Sequence, residues 1–337
     1  MAAKNLNELE RLVGLLAAKA KFKTDYTAYA NKTRKLLIVE GVTDEAFIKK
    51  IKKDTVDCIV ANNVFNSDTR FRTTPTEPIN CKNAIVKVIY GISHFPSPFI
   101  AYPDDLDKWD LYGLVDLDCD EIGVAQHTPR LFITDTRDLE TLILYSDEEV
   151  WDKLDKCEIS ESDIKQSFFV AYQLSEVRAL LAEHHDMEKF NLRVVSCGSR
   201  RLDFDAFVKE NKISLMDIIK YIAKESGEAL SAEKMKRMFA GIVGSKNGKK
   251  RFDAEGMWKQ DISSFDISRT SDFWTSINGH DVLQLLQYYN SDACRAYNCK
   301  SDGLNRKFEF ALIAAYDSSC FSKTKLHAKM KASGLVE

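Results

Sequence analysis

Lys35-Leu36-Leu37-Ile38-Val39-Glu40-Gly41 is the stretch that decides the fold. A strand half-buried in a sheet alternates apolar and polar residues, whereas a strand covered on both faces is apolar throughout. This short continuous run therefore reads as a central parallel strand. Thr43 is the expected N-cap of a helix running on from Glu45 to Lys53. The pattern then repeats. Val56-Asp57-Cys58-Ile59-Val60 is a second strand and Asn80 to Ile89 a helix. Leu111-Tyr112-Gly113-Leu114-Val115 is a third strand ending at Asp116, and Leu131-Phe132-Ile133-Thr134 a fourth ending at Asp135, with a helix through Leu139, Leu142 and Ile143 behind it. Strands alternating with helices predict an α/β fold on a small parallel sheet.

Outward from this core the character changes on both sides. Upstream, Leu6, Leu9, Leu12, Val13, Leu15 and Leu16 recur at helical spacing, so a helix opens the chain. Five of the six prolines lie between Pro75 and Pro103, which marks 62–80 and 93–109 as irregular loops added to the core. From about residue 150 the pattern is mainly helical, over 161–183, 214–226, 231–242, 279–290 and 304–317, with Leu192 to Val195 as one further strand. The expected organisation is an N-terminal helix over 1–33, an α/β catalytic domain over 34–149 and a mainly helical domain over 150–337. The last would serve dimerisation and substrate or partner binding.

Composition narrows the classes. The 337 residues are 45% apolar and 29% charged, the balance of a globular protein large enough for two modest domains. No apolar run approaches the roughly 20 residues of a spanning helix. The first residues carry charges where a signal peptide has its apolar core, so no membrane or export role is expected and the cytoplasm is the expected location. Eight cysteines without a C-x-x-C pair indicate neither a zinc site nor a disulfide framework. A net charge of -3 offers nucleic acid no general attraction, so any grip on it must come from local basic patches and a metal.

The chemistry is expected at the strand ends. Parallel sheets bind ligands at the carboxyl ends of their strands, and here Glu40, Asp116 and Asp135 each stand at one. Beyond Asp116 the chain reads Asp116-Leu117-Asp118-Cys119-Asp120. In an extended segment the three aspartates share one face, roughly 7 Å from one to the next. Like charges at that separation raise one another's pKa, and a divalent cation removes the conflict. All-oxygen ligands favour Mg2+, or Mn2+, which can polarise a phosphate and position a water for attack on phosphorus.

These residues resemble a family. Ile38-Val39-Glu40-Gly41 with Thr43-Asp44-Glu45, followed by Gly113-Leu114-Val115-Asp116-Leu117-Asp118, is similar to the Toprim domain shared by topoisomerases, primases and OLD-type nucleases. Phe132-Ile133-Thr134-Asp135 with Arg137-Asp138-Leu139-Glu140 resembles the branch found in bacterial anti-phage effectors, the AriB-type nucleases of the PARIS defence system. The resemblance covers roughly 34–145, with weaker echoes at Ile277 to Asp281 and from Phe308 to Leu326. It implies that Glu40 is the general acid or base and that Asp116 and Asp118 hold magnesium, with Glu40 and Asp120 as further ligands. It also implies a separate ABC-type ATPase as regulatory partner. Asp138 and Glu140 are either second-metal ligands or acidic residues favoured at a helix start. The long loops before Asp116 depart from the compact family pattern.

Weaker features complete the reading. Gly241 to Arg251 fits no phosphate-loop register, yet Lys246, Lys249, Lys250 and Arg251 are candidate phosphate contacts, as are Arg200, Arg201, Arg70 and Arg72. His184, His185 and His280 lack metal-ligand spacing with an acidic partner and read as structural. The leading expectation is a metal-dependent nuclease acting on RNA, transfer RNA included, or DNA, as a homodimer in anti-phage defence. The alternatives are a primase- or topoisomerase-like enzyme and a catalytically inactive Toprim scaffold.

Overall fold

Leu36, Leu37, Ile38 and Val39 have no solvent-exposed surface, the burial on both faces that their uninterrupted apolarity demands. The computed structural model describes residues 2–21, 31–66, 80–95, 108–117, 128–154, 159–182, 265–267, 270–289 and 306–337. Its strands are β1 (Lys35–Val39), β2 (Val56–Val60), β3 (Leu111–Val115) and β4 (Leu131–Ile133). They form one parallel sheet in the order β2-β1-β3-β4. The chain is thus α/β, with a small four-stranded parallel sheet. In the register Ile38 stands opposite Gly113, and Val115 opposite Ile133. Glu40 and Asp116 therefore leave adjacent strands at the same edge.

The helices in chain order are α1 (Ala2–Lys21), α2 (Val42–Ile51), α3 (Ala61–Phe65), α4 (Cys81–His94), α5 (Leu139–Ser146), α6 (Glu161–Ala182), α7 (Ser271–Ser276), α8 (Gly279–Tyr289), α9 (Arg306–Ala315) and α10 (Lys325–Ala332). A 3-10 turn, Ser318–Lys323, precedes α10. Two compact units result, residues 1–147 with 316–337, and residues 148–315.

In the first unit, Leu12, Val13 and Leu16 of α1 and Ile85, Val88 and Ile89 of α4 bury one sheet face together with Leu36, Ile38 and Leu111. The approach of α4 to β3 depends on Gly113, because a Cβ there would lie 2.6 Å from the Ile85 side chain and 3.0 Å from that of Leu131. Trp109, in a segment expected to be irregular loop, is instead fully buried in this core.

Two expectations differ from the structure. The helix after β1 begins earlier than Thr43 as N-cap requires: Gly41 is the cap residue, and its N–H donates to Asp44 Oδ2 at 2.7 Å. Asp44 sits at the third helical position, where a carboxylate reaches back to the cap, so Thr43 falls inside the first turn. The second difference is the domain boundary. Residues 316–337, expected with the helical half, belong to the sheet-bearing unit. Tyr316 packs at 5.5 Å and Phe321 at 5.6 Å from the Phe47 ring of α2. The Tyr316 and Ser146 hydroxyls are 2.9 Å apart, the Asp317 N–H donates to Asp147 Oδ2 at 2.8 Å, and the Lys53 N–H donates to the Leu335 carbonyl at 2.9 Å.

In the second unit the described elements are helices. Phe168, Phe169 and Tyr172 of α6 stack against Phe265, Phe273 and Trp274 at ring separations of 5.3 to 6.2 Å. The expected helices over 214–226 and 231–242 and the strand at Leu192 to Val195 lie outside the described residues.

Candidate active site

The site is built from the first residues beyond each strand. Glu40 follows β1, and its Oε1 accepts the Asp116 N–H at 3.0 Å, so the two strand ends are tied together by the side chain expected to do chemistry. Asp116 follows β3 and is only partly covered by the protein. Its carboxyl is nonetheless pushed well above the usual carboxylate range, first by desolvation and then by the charges of Asp44, Glu40, Asp138 and Glu140. Five carboxyl groups from β1, α2, β3 and the start of α5 thus share one electrostatic environment.

Asp44 is the member that sequence reasoning quoted without assigning it a role. Its signal was the spacing from Glu40: four residues across a strand-to-helix turn bring both to the sheet edge. Asp138 and Glu140 are both buried, at 2% and 4% exposure. Asp138 is the N-cap of α5, its Oδ1 accepting both the N–H and the hydroxyl of Thr141 at 2.9 Å. Asp135 does not join the cluster. Its Oδ2 accepts the Leu326 N–H at 2.8 Å and caps the start of α10, a partner 191 residues away that no local pattern announces.

Asp118 and Asp120 lie outside the described residues, as do Arg70, Arg72, Arg200, Arg201, Lys246, Lys249, Lys250 and Arg251. His184 and His185 lie there too. In the second unit His280 does have an acidic partner, Glu309 Oε1 at 3.3 Å from its Nδ1. Asn278, part of the weaker echo, caps α8 through its Oδ1, which accepts the Asp281 N–H at 3.1 Å.

The first turn of α4 also faces the site. The Cys81 thiol is pushed up to about 11 by burial first and by Glu40 second, which keeps it protonated. Next to it, Lys82 is 6% exposed and donates to the Leu117 carbonyl at 3.2 Å. The Leu117 N–H in turn donates to Thr134 Oγ1 at 2.9 Å.

The donor set fits a hard divalent cation. The charged groups around Asp116 are all carboxylates, the ligand type such an ion takes, and a cation there would relieve the repulsion that adds to desolvation in raising Asp116. Compared with known proteins, the chain matches no family model, no curated protein and no solved structure. No helix among the described residues is long and apolar enough to cross a membrane.

Proposed function

We propose that this chain is a Toprim-type nuclease that uses Mg2+ or Mn2+ to cleave phosphodiester bonds. The observation that carries the reading is the meeting of Glu40 and Asp116 at the carboxyl ends of adjacent parallel strands, where Glu40 Oε1 accepts the Asp116 N–H at 3.0 Å, with Asp44, Asp138 and Glu140 adding negative charge around Asp116. The order of the sequence motifs supports it. Asp116 and Asp118 are the residues that would hold the cation, with Glu40, Asp120, Asp138 and Glu140 as further candidates. Bound there, the cation would supply Lewis-acid polarisation of a phosphate oxygen and a positioned water.

The chain's own residues do the rest. Glu40 Oε1 accepts the Asp116 N–H, which holds the carboxylate beside Asp116, and Glu40 is the group assigned to take or give a proton at the attacking or leaving oxygen. The substrate is RNA, transfer RNA included, or DNA, gripped by the basic residues assigned from sequence. By resemblance the protein acts in the cytoplasm as a homodimeric effector of anti-phage defence beside an ABC-type ATPase.

The test is to incubate the full chain with transfer RNA, messenger RNA and plasmid, each with Mg2+ or with EDTA. Metal-dependent cleavage is expected for at least one substrate, and Glu40→Gln and Asp116→Asn should each lower it by about a hundredfold or more. Cleavage that persists undiminished in folded Asp116→Asn ends the reading. Binding of nucleic acid without cleavage by the wild type would point to the inactive scaffold instead.

A further inference from the structure

We infer that Lys82 and Thr134 are positioning residues that fix the Leu117 peptide next to Asp116, and with it the geometry in which the Asp116 carboxylate meets a divalent cation. The inference rests on the metal site proposed above. The ladder between β3 and β4 ends at the Val115 and Ile133 pair. The next two residues are held by side chains from three other places in the fold. Glu40 Oε1 takes the Asp116 N–H at 3.0 Å, Thr134 Oγ1 takes the Leu117 N–H at 2.9 Å, and Lys82 Nζ donates to the Leu117 carbonyl at 3.2 Å.

Both side chains are buried and place polar atoms on backbone groups. A lysine ordinarily runs its ammonium group out to water. Lys82 is 6% exposed and directs its ammonium at a backbone carbonyl, on a helix whose next buried positions are Ala84 and Ile85. Thr134 is 4% exposed, and its hydroxyl is used in both directions, accepting from Leu117 and donating to the Thr136 carbonyl at 2.7 Å. Its two bonds tie the exit of β3 to the turn that leads to Asp138 and Glu140. The Leu117 peptide is bonded directly to Asp116, so its orientation bears on how that carboxylate is presented.

Positioning and simple charge compensation predict opposite outcomes. A lysine that only offset the carboxylates would, on removal, leave a more negative site that binds a cation more tightly. A positioning lysine would, on removal, loosen the peptide and weaken binding. Mn2+ titration of the full chain, followed by the paramagnetic signal of the free ion, separates the two. Lys82→Met and Thr134→Val are each expected to weaken Mn2+ binding by about tenfold or more. Thr134→Ser, which keeps the hydroxyl, should bind like the wild type. Unchanged or tighter binding in Lys82→Met overturns the inference, as does Thr134→Ser binding as weakly as Thr134→Val. If Lys82→Met does not fold, the Thr134 pair decides alone. Asp116→Asn is the reference: if it binds Mn2+ as tightly as the wild type, the proposed metal site falls, and not only the inference built on it.

Discussion

Asp116 carries a penalty at neutral pH that its neighbours impose. Its carboxyl is held above the ordinary carboxylate range by desolvation first and by four nearby acidic groups second, so between the ordinary and the raised value the folded state holds a proton that the unfolded state has already lost. Stability without metal should therefore fall as pH rises from about 4 towards the raised value. Thermal unfolding in EDTA over that range is expected to show this slope. Added Mg2+ should flatten it, because binding to the folded form alone stabilises that form by mass action. In Asp116→Asn the slope should shrink and most of the Mg2+ gain should vanish. An equal Mg2+ gain in both proteins would place the ion elsewhere. At this scale the sequence named Glu40 and Asp116 correctly as neighbours at one sheet edge, because a strand ending in a carboxylate needs only local reading. It assigned no role to Asp44 and missed Lys82, whose contacts depend on a strand-to-helix turn and a helix packed from elsewhere.

At the scale of elements, β1, β2 and β3 were legible with the residue bounds observed, since a doubly buried strand is apolar with no interruption. Helix starts were less so: the cap fell at Gly41 because Asp44 reaches back to it, and a threonine two positions on was the more conspicuous candidate. The close packing of α4 on β3 gives a test of the element assembly. Gly113→Ala places a methyl 2.6 Å from Ile85, and overpacking of that kind should cost about 1–3 kcal/mol in urea unfolding. Tyr316→Phe removes the hydroxyl bonded to Ser146 at 2.9 Å and should cost about 1 kcal/mol, read by the same measurement. No loss in Tyr316→Phe would mean that the hydroxyl pair adds nothing to the ring packing and the backbone contacts that hold the tail.

For the whole molecule, the least legible feature was that the sheet-bearing unit is split. Contacts such as Asp135 with Leu326 and Lys53 with Leu335 join residues hundreds of positions apart, and nothing in the periodicity of either segment marks its partner. The split makes a definite prediction. Residues 1–149 alone, the opening helix over 1–33 with the α/β domain expected over 34–149, should show no cooperative unfolding, because Phe47 loses Tyr316 and Phe321. Residues 1–147 joined through a short flexible linker to 316–337 should fold, since the Asp317 N–H already lies 2.8 Å from the Asp147 carboxylate. Circular dichroism melts of the two chains distinguish these outcomes.

The same split sets a timetable for synthesis. Every carboxylate of the site has been translated by residue 140, yet the unit that holds them waits for residues 316–337. At ~5–20 residues per second that interval is on the order of ten seconds or more. Until then Phe47 lacks Tyr316 and Phe321, and the carboxylates at the strand ends stand in a unit that is not yet complete.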